Sequence, residues 1–143
     1  MTNLAAAPAA STTAPARSRR ARIALNTVTI LLALFFGIAS GAPKLFAAPA
    51  AVEAFDSIGW GAPGMYAIGL VELAGAIGLL IPVLSGAASI GLGALMVGAF
   101  FTQVVAFDGE NAATPVVFLV VLAALAWAHR GRNRELLALL KRA

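Results

Sequence analysis

A single carboxylate interrupts the most apolar stretch of the chain. This stretch spans the nineteen residues Tyr66–Leu84 (YAIGLVELAGAIGLLIPVL), in which Glu72 stands among aliphatic and small residues. A helix of that length extends about 28 Å, which is close to the thickness of the hydrocarbon core of a bilayer. An acidic side chain within that layer costs about 2.5–3.5 kcal/mol on insertion scales. The stretch therefore predicts a membrane helix in which Glu72 needs a partner, a proton or a water-lined pocket.

The composition of the whole chain supports a membrane location. Of its 143 residues, 61% are hydrophobic and only 11% are charged, and the mean hydropathy is +0.93. A soluble domain averages about 25% charged residues. One small core cannot hide so much apolar surface from water. We therefore predict an all-α integral membrane protein whose main partner is the lipid bilayer.

Positive charge is concentrated at the two ends of the apolar region. Lys44 is the one basic residue inside that region, and the other nine lie before the first apolar run or after the last. This distribution follows the positive-inside rule and predicts that the N and C termini are both cytoplasmic. A nucleic-acid-binding patch is not split in this way, so nucleic acid is not an expected partner. The nine flanking residues are Arg17, Arg19, Arg20, Arg22, Arg130, Arg132, Arg134, Lys141 and Arg142.

The residues that commonly carry metal and redox chemistry are scarce. The chain has no cysteine, which excludes disulfide exchange, thiolate nucleophiles and cysteine-ligated iron–sulfur clusters. His129 is the single histidine, and its neighbour Arg130 places it in the positive cytoplasmic rim. We therefore predict no metal site and no covalently bound cofactor.

Hydropathy divides residues 21–130 into an up-down four-helix transmembrane bundle with spans at about 23–42, 66–84, 87–107 and 112–128. Pro43 is expected to end the first span, and Ser85-Gly86 to form the turn between the second and third spans. Such a short turn makes those two spans antiparallel neighbours.

The segment between the first two spans has a helical pattern of its own. Val52, Phe55 and Ile58 share one face, whereas Glu53 and Asp56 share another. This pattern predicts a short interfacial helix lying on the outer membrane surface.

Both ends of the chain are predicted to be cytoplasmic tails. Residues 1–20 are rich in Ala, Pro, Ser and Thr and end in arginines, which is typical of a disordered basic tail. The alternative is a twin-arginine signal at Ser18-Arg19-Arg20, but its cleavage would leave an odd number of spans. Residues 131–143 have the pattern of an amphipathic surface helix, with a frayed tail as the alternative.

Five polar residues converge at similar depth in the outer half of the predicted bundle: Ser40, Lys44, Glu72, Thr102 and Gln103. They are the candidate ligand-binding or proton-binding residues. Glu72 is either a structural strut bonded to Lys44 or Gln103, or a protonatable group that lines a small cavity. Lys44 is interpreted first as a snorkelling anchor at the helix end and second as a partner of Glu72. Because Gly75 and Ala76 share the face of Glu72, that face is expected to point into the bundle.

Four segments resemble the DoxX-like family of small bacterial four-helix membrane proteins. They are Gly37–Leu45 (GIASGAPKL), Ala54–Gly59 (AFDSIG), Tyr66–Ala76 (YAIGLVELAGA) and Leu79–Pro82 (LLIP). The resemblance covers about residues 21–129 and implies a multi-pass protein of a bacterial inner membrane. It further implies association with redox enzymes, since members resemble the small subunit of a thiosulfate:quinone oxidoreductase.

The family's functional positions map onto Lys44 and Glu72, whereas many members have a histidine where this chain has Gln103. The resemblance thus suggests a membrane subunit that binds quinone or another lipophilic ligand near Glu72 while a redox partner supplies the electrons. Two alternatives remain, namely transport of protons or a small solute through a cycling Glu72, and a purely structural or assembly role. A homo-oligomer is an alternative to a redox partner, and whether the chain is an enzyme stays open.

Overall fold

The computed structural model describes residues 19–141, with side chains omitted at residues 132–136. Within that range 85% of the residues are helical and there is no strand, which confirms the all-α prediction. The N-terminal tail lies outside the described residues, except that Arg19 and Arg20 begin the first helix. The helices are α1 (Arg19–Leu34), a π-helical segment (Phe35–Gly41), α2 (Ala42–Leu45), α3 (Pro49–Ser57), α4 (Gly61–Leu80), α5 (Ser85–Ala106), α6 (Ala113–Ala128) and α7 (Arg130–Leu140).

Three of these helical stretches are long and apolar enough to cross a membrane. They are the continuous stretch Arg19–Leu45, then Gly61–Leu80 and Ser85–Ala106. The fourth apolar helix, α6, has 16 residues and is therefore about 24 Å long. Large hydrophobic side chains such as Ile38 and Val105 are 66% and 82% exposed, as expected for surfaces that face lipid.

The first helix continues through Pro43 and ends at Leu45, so the prediction that Pro43 ends it is wrong. Directly before this proline the helix widens into the π-helical segment, in which the N–H of Ala42 donates to the carbonyl of Gly37, five residues earlier. Proline has no N–H and its ring crowds the carbonyl four residues back. The wider turns relieve that crowding, so the chain stays helical as far as Lys44 and Leu45.

The turn between α4 and α5 lies at residues 81–84, so the prediction of a Ser85-Gly86 turn is also wrong. Pro82 stops α4, and the N–H groups of Leu84 and Ser85 both donate to the carbonyl of Ile81 at 2.9 Å. Ser85 Oγ donates to the carbonyl of Pro82 at 3.0 Å, which stabilises the start of α5. Ser85 and Gly86 are thus buried helical residues.

One hydrophobic core joins the four apolar helices. Small residues bring the helices close together: a Cβ on Gly37 would lie 3.4 Å from Ala76 Cβ, and one on Gly78 would lie 2.9 Å from Ala88 Cβ. Such close backbone approach is how membrane helices associate without a hydrophobic driving force. The core residues are Leu32, Ala33, Phe36, Ala76, Leu79, Leu92, Met96, Leu122 and Leu125.

The two short helices pack against this core. In α3, Glu53 and Asp56 are exposed and Phe55 is half-buried, and the helix contacts α4. At the other end, α7 contacts α5 and α6. His129 lies between α6 and α7 and is only 3% exposed, while its place in the positive cytoplasmic rim stays a prediction. The return of α7 towards α5 accounts for this burial.

Candidate functional site

The carboxylate of Glu72 is bonded to two side chains of the first helix. Ser40 Oγ donates to Glu72 Oε1 at 2.9 Å, and Lys44 Nζ donates to Glu72 Oε2 at 2.8 Å. Lys44 Nζ also donates to the carbonyl oxygen and to Oγ of Ser40, at 2.9 and 3.0 Å. The Lys44 and Glu72 side chains are 17% and 4% exposed, so this is a buried ion pair. We call Ser40, Lys44 and Glu72 the polar triad.

The sequence produces the triad through the shape of the first helix. Ser40 lies in the π-helical segment and Lys44 in α2, four residues later, so both side chains lie on the face that meets α4. Lys44 is therefore a partner of Glu72, and its first interpretation as a snorkelling anchor is wrong.

Glycines on both sides allow the two helices to approach at the level of the triad. A Cβ on Gly69 of α4 would lie 3.0 Å from Lys44 Cβ, and one on Gly41 would lie 3.4 Å from the Gly69 carbonyl oxygen. This spacing brings the Glu72 carboxylate within hydrogen-bond distance of both partners. Glu72 is the twelfth of the 20 residues of α4, so it lies near the middle of that helix.

The triad forms part of the wall of a cavity of about 750 Å³. This volume is in the range of small-molecule sites, which are typically apolar with a few placed polar groups. The first helix, α3, α4, α5 and α6 all contribute to its wall. The lining residues are Phe35, Phe36, Ser40, Lys44, Ala54, Phe55, Ile58, Trp60, Ile68, Glu72, Ala94, Leu95, Met96, Gly98, Ala99, Thr102, Gln103, Phe107, Asn111, Thr114, Pro115 and Phe118.

Thr102 and Gln103 lie on the same cavity, near the C-terminal end of α5. Thr102 Oγ1 donates to the carbonyl of Gly98 at 3.0 Å. The backbone carbonyl of Gln103 accepts the N–H groups of Phe107 at 3.2 Å and Gly109 at 2.8 Å, which fixes this last helical turn. The side-chain oxygen of Gln103 is buried and has no hydrogen-bond partner among the described residues.

All five candidate residues therefore line one cavity, in two separate groups. The triad is one group, and Thr102 with Gln103 is the other. No hydrogen bond joins Glu72 to Gln103 within residues 19–141, although their predicted depths placed them close enough to meet. Both side chains contribute to the same wall without bonding to each other.

Aromatic side chains form a part of the site that the sequence interpretation did not identify. Phe35 stacks on Phe118 with ring centroids 4.3 Å apart, and Phe36 meets the same ring at 5.5 Å. Phe55 of α3 lies 6.4 Å from Trp60, and both line the cavity. The amphipathic pattern of α3 indicated a lipid-facing surface, but Phe55 and Ile58 close the cavity instead. The sequence shows that Phe55 and Ile58 share an apolar face of the α3 segment. It does not show whether that face meets lipid or lines a cavity.

Within the described part of the chain, no group of three His, Asp or Glu side chains is placed to hold a metal ion. The site is thus an aromatic cavity with a buried, internally bonded ion pair on one wall and an amide on another. Such an arrangement can bind and orient a lipophilic ring compound.

Comparison with known proteins gives one match. The family model described as the DoxX-like family matches residues 27–125, a range that includes both groups of polar residues. No curated protein and no solved structure matches the chain.

Proposed function

Since the chain belongs to the DoxX-like family of membrane proteins, we propose that it is a membrane subunit that binds a quinone or another lipophilic ring compound beside Glu72 and docks a redox enzyme. The observation that carries this proposal is the cavity of about 750 Å³, whose wall combines aromatic rings with a buried polar triad. The chain has no cysteine to relay electrons between thiols. Its role in this proposal is to hold the ligand while the partner supplies or accepts the electrons.

The aromatic lining supports a ring as the ligand. Phe35 and Phe118 are partly buried and present a stacked pair of rings to the cavity, and the fully buried ring of Phe36 meets both of them edge-on. Aromatic pairs of this geometry contribute about 0.5–1.5 kcal/mol beyond simple burial. A planar ligand ring gains such ring–ring contacts, whereas a proton or a small solute without a ring does not. The same observation disfavours the transport alternative.

Filling the cavity tests ligand binding directly. Gly98 lines the cavity, and a Cβ on it would meet no atom within 4 Å, so the larger side chain of Gly98→Leu starts from open space at the cavity wall. We expect this variant to lower ligand affinity about tenfold or more, because an overfilled site costs about 1–3 kcal/mol. The measurement is the amount of quinone retained after purification from native membranes. Wild-type protein without any bound quinone or related ring compound would overturn the proposal.

Gly91→Leu is the matched control for this experiment. Gly91 is on the same helix, a Cβ added to it would also meet no atom within 4 Å, and it does not line the large cavity. This variant should retain as much ligand as the wild type. Equal loss in both variants would indicate a general effect of leucine on α5 rather than occupation of the site.

In the proposed arrangement the four apolar helices form an up-down bundle in a bacterial inner membrane, with both termini cytoplasmic. Exposed arginines at the start of α1 and at Arg130 support this orientation. Because the chain has no native cysteine, single cysteines report topology without background. A membrane-impermeant thiol reagent should label Ser57→Cys in intact cells and Gly131→Cys only after lysis. Both positions are exposed, and the reverse labelling pattern would establish the opposite orientation.

A structural role is the second candidate, and one observation favours it. Within the triad, Ser40 and Lys44 already satisfy both oxygens of Glu72 at 2.8–2.9 Å. A closed contact of this kind can serve as a strut between the first helix and α4. The two roles differ in their response to removal of the whole ion pair, as described in the Discussion.

A further inference from the structure

We propose that the junction of α6 and α7 binds the headgroup of an anionic phospholipid, in the leaflet that the proposed topology places at the cytoplasm. The site consists of the Arg130 guanidinium and the Trp127 indole, beside the exposed leucines of α7. Neither residue lines the cavity beside Glu72, so this site is separate from the proposed ligand site.

Two contacts hold the Arg130 side chain in place at the end of α6. Its Nη1 donates to the carbonyl of Trp127 at 3.1 Å, and its guanidinium carbon lies 4.3 Å from the centre of the Trp127 ring. An indole is the aromatic ring that attracts a cation most strongly. Neither contact is with an anion, so both orient the positive charge without neutralising it. The guanidinium is therefore positioned before a ligand arrives.

Both side chains of this pair retain hydrogen-bond donors for a ligand. A guanidinium carries five N–H groups in a planar fork that matches the oxygens of a phosphate, and the carbonyl of Trp127 takes one of them. Arg130 is exposed, and Trp127 is exposed as well and adds its indole N–H. The pair thus offers positive charge and several donors, which complement the phosphodiester group of a phospholipid.

The apolar side chains around the pair indicate that the anion belongs to a lipid. Leu137, Leu139 and Leu140 of α7 are all more than half exposed. Trp127 ends an apolar helix, at the depth where tryptophan is enriched in membrane proteins. A short helix that combines basic residues with exposed leucines at this depth lies among lipid headgroups. A free phosphate ion gains nothing from the leucines, whereas the acyl chains of a phospholipid cover them.

Charge selects an anionic lipid over a zwitterionic one. The segments before the first apolar run and after the last contain nine basic residues and one acidic residue, Glu135. Basic side chains at a membrane surface attract anionic lipids. The basic residues of these segments that the structure shows to be exposed are Arg19, Arg20, Arg22, Arg130 and Lys141.

The fluorescence of Trp127 measures which lipid lies at the junction. Trp60→Phe leaves Trp127 as the single tryptophan of the full chain, and this variant is the parent protein. It is placed in phosphatidylcholine nanodiscs that contain a small fraction of brominated phosphatidylglycerol or of brominated phosphatidylcholine with the same acyl chains. Bromine quenches a nearby indole, so unselective contact gives equal quenching. We expect phosphatidylglycerol to associate about fivefold more strongly than phosphatidylcholine.

Arg130→Gln removes the positioned charge and should lower this preference to about twofold or less. Lys141→Gln is the matched control, because it makes the same change at an exposed position at the other end of α7. Lys141 lies about 16 Å along the helix from Arg130, beyond the Debye length of about 8 Å at physiological salt. The full preference should therefore remain in Lys141→Gln.

Each remaining outcome overturns the proposal. Equal quenching by the two lipids in the parent protein would mean that the junction does not select anionic lipid. A preference that persists in Arg130→Gln, or that falls equally in Lys141→Gln, would indicate a diffuse surface charge instead of a site. Quenching by neither lipid would mean that protein rather than lipid covers Trp127. The parent comparison decides the matter even where Arg130→Gln does not fold, and quinone retention is measured separately.

Discussion

Replacing Glu72 alone by leucine, or Lys44 alone by methionine, is expected to lower the free energy of unfolding by about 3–5 kcal/mol. Each single change leaves one charge in a site where the remaining side chain is almost completely enclosed, since Glu72 and Lys44 are 4% and 17% exposed. The uncompensated charge must then be desolvated without its partner at 2.8 Å. The measurement is thermal or denaturant unfolding in a lipid bicelle, followed by circular dichroism.

The double variant Lys44→Met/Glu72→Leu should recover most of that loss. Replacing a buried ion pair with apolar side chains of similar size is often neutral or stabilising, because both desolvation costs disappear together. The coupling energy of the double-mutant cycle then equals most of the single-variant effect. Additive losses in the double variant would contradict a direct interaction between the two side chains.

The same double variant distinguishes the two candidate functions. A strut that only fixes the contact between the first helix and α4 can be replaced by apolar packing, so quinone retention should survive. A binding site that uses the Glu72 carboxylate as an acceptor loses affinity although the protein is folded. Loss of retained quinone in a stable double variant would therefore exclude a purely structural role for the ion pair.

The burial of Glu72 could be predicted from the sequence because two observations agree. Helical periodicity places Glu72 on the face of Ala76, and the apolar surroundings require a charged side chain to face the interior of the bundle. Ala76, one turn later on the same face, is 4% exposed, whereas Leu70 is 58% exposed. Charge at this depth requires a partner. A basic residue after the first span and an acid in the second were therefore sufficient to suggest an ion pair as one interpretation.

The identity of the partners depended on a backbone feature that hydropathy does not encode. Ending the first helix at residue 42 placed Lys44 in a loop, where snorkelling to the interface is the simplest interpretation. The π-helical segment Phe35–Gly41 instead keeps the chain helical beyond Pro43, and it aligns Ser40 with Lys44 towards α4. A π turn has no strong sequence signature, so this part of the site required the structure.

The cavity could not be predicted from sequence patterns either. Its volume results from how α3, α5 and α6 pack around the triad, and the aromatic residues that line it come from segments far apart in the chain. Phe118, for example, sits in an almost wholly apolar helix, in which Thr114 near the start is a single polar residue and does not define a polar face. Periodicity identifies which residues are apolar, but in a membrane helix it does not tell lipid-facing residues from cavity-facing ones.

Gly41→Ala is expected to destabilise the protein by about 1–3 kcal/mol and to weaken ligand binding, although it adds a single methyl group. The added Cβ would lie 2.8 Å from the carbonyl oxygen of Phe36, 3.4 Å from that of Gly69 and 3.5 Å from Glu72 Cβ. Two of these three neighbours are backbone atoms, which cannot rotate away. The shortest of these distances is to Phe36, within the π-helical segment itself, so this segment must distort and Ser40 must shift with it.

Gly91→Ala is the control that isolates this geometric effect. Both changes raise intrinsic helix propensity by up to about 1 kcal/mol, but a Cβ on Gly91 meets no atom within 4 Å. Gly91→Ala should therefore be neutral or slightly stabilising, while Gly41→Ala should be destabilising, so the two unfolding transitions move in opposite directions. The shift of Ser40 should also lower quinone retention in Gly41→Ala alone, because the hydrogen bond from Ser40 Oγ to Glu72 Oε1 is then disturbed. Equal stability of the two variants would mean that the π-helical segment accommodates the added Cβ beside the Phe36 carbonyl without strain.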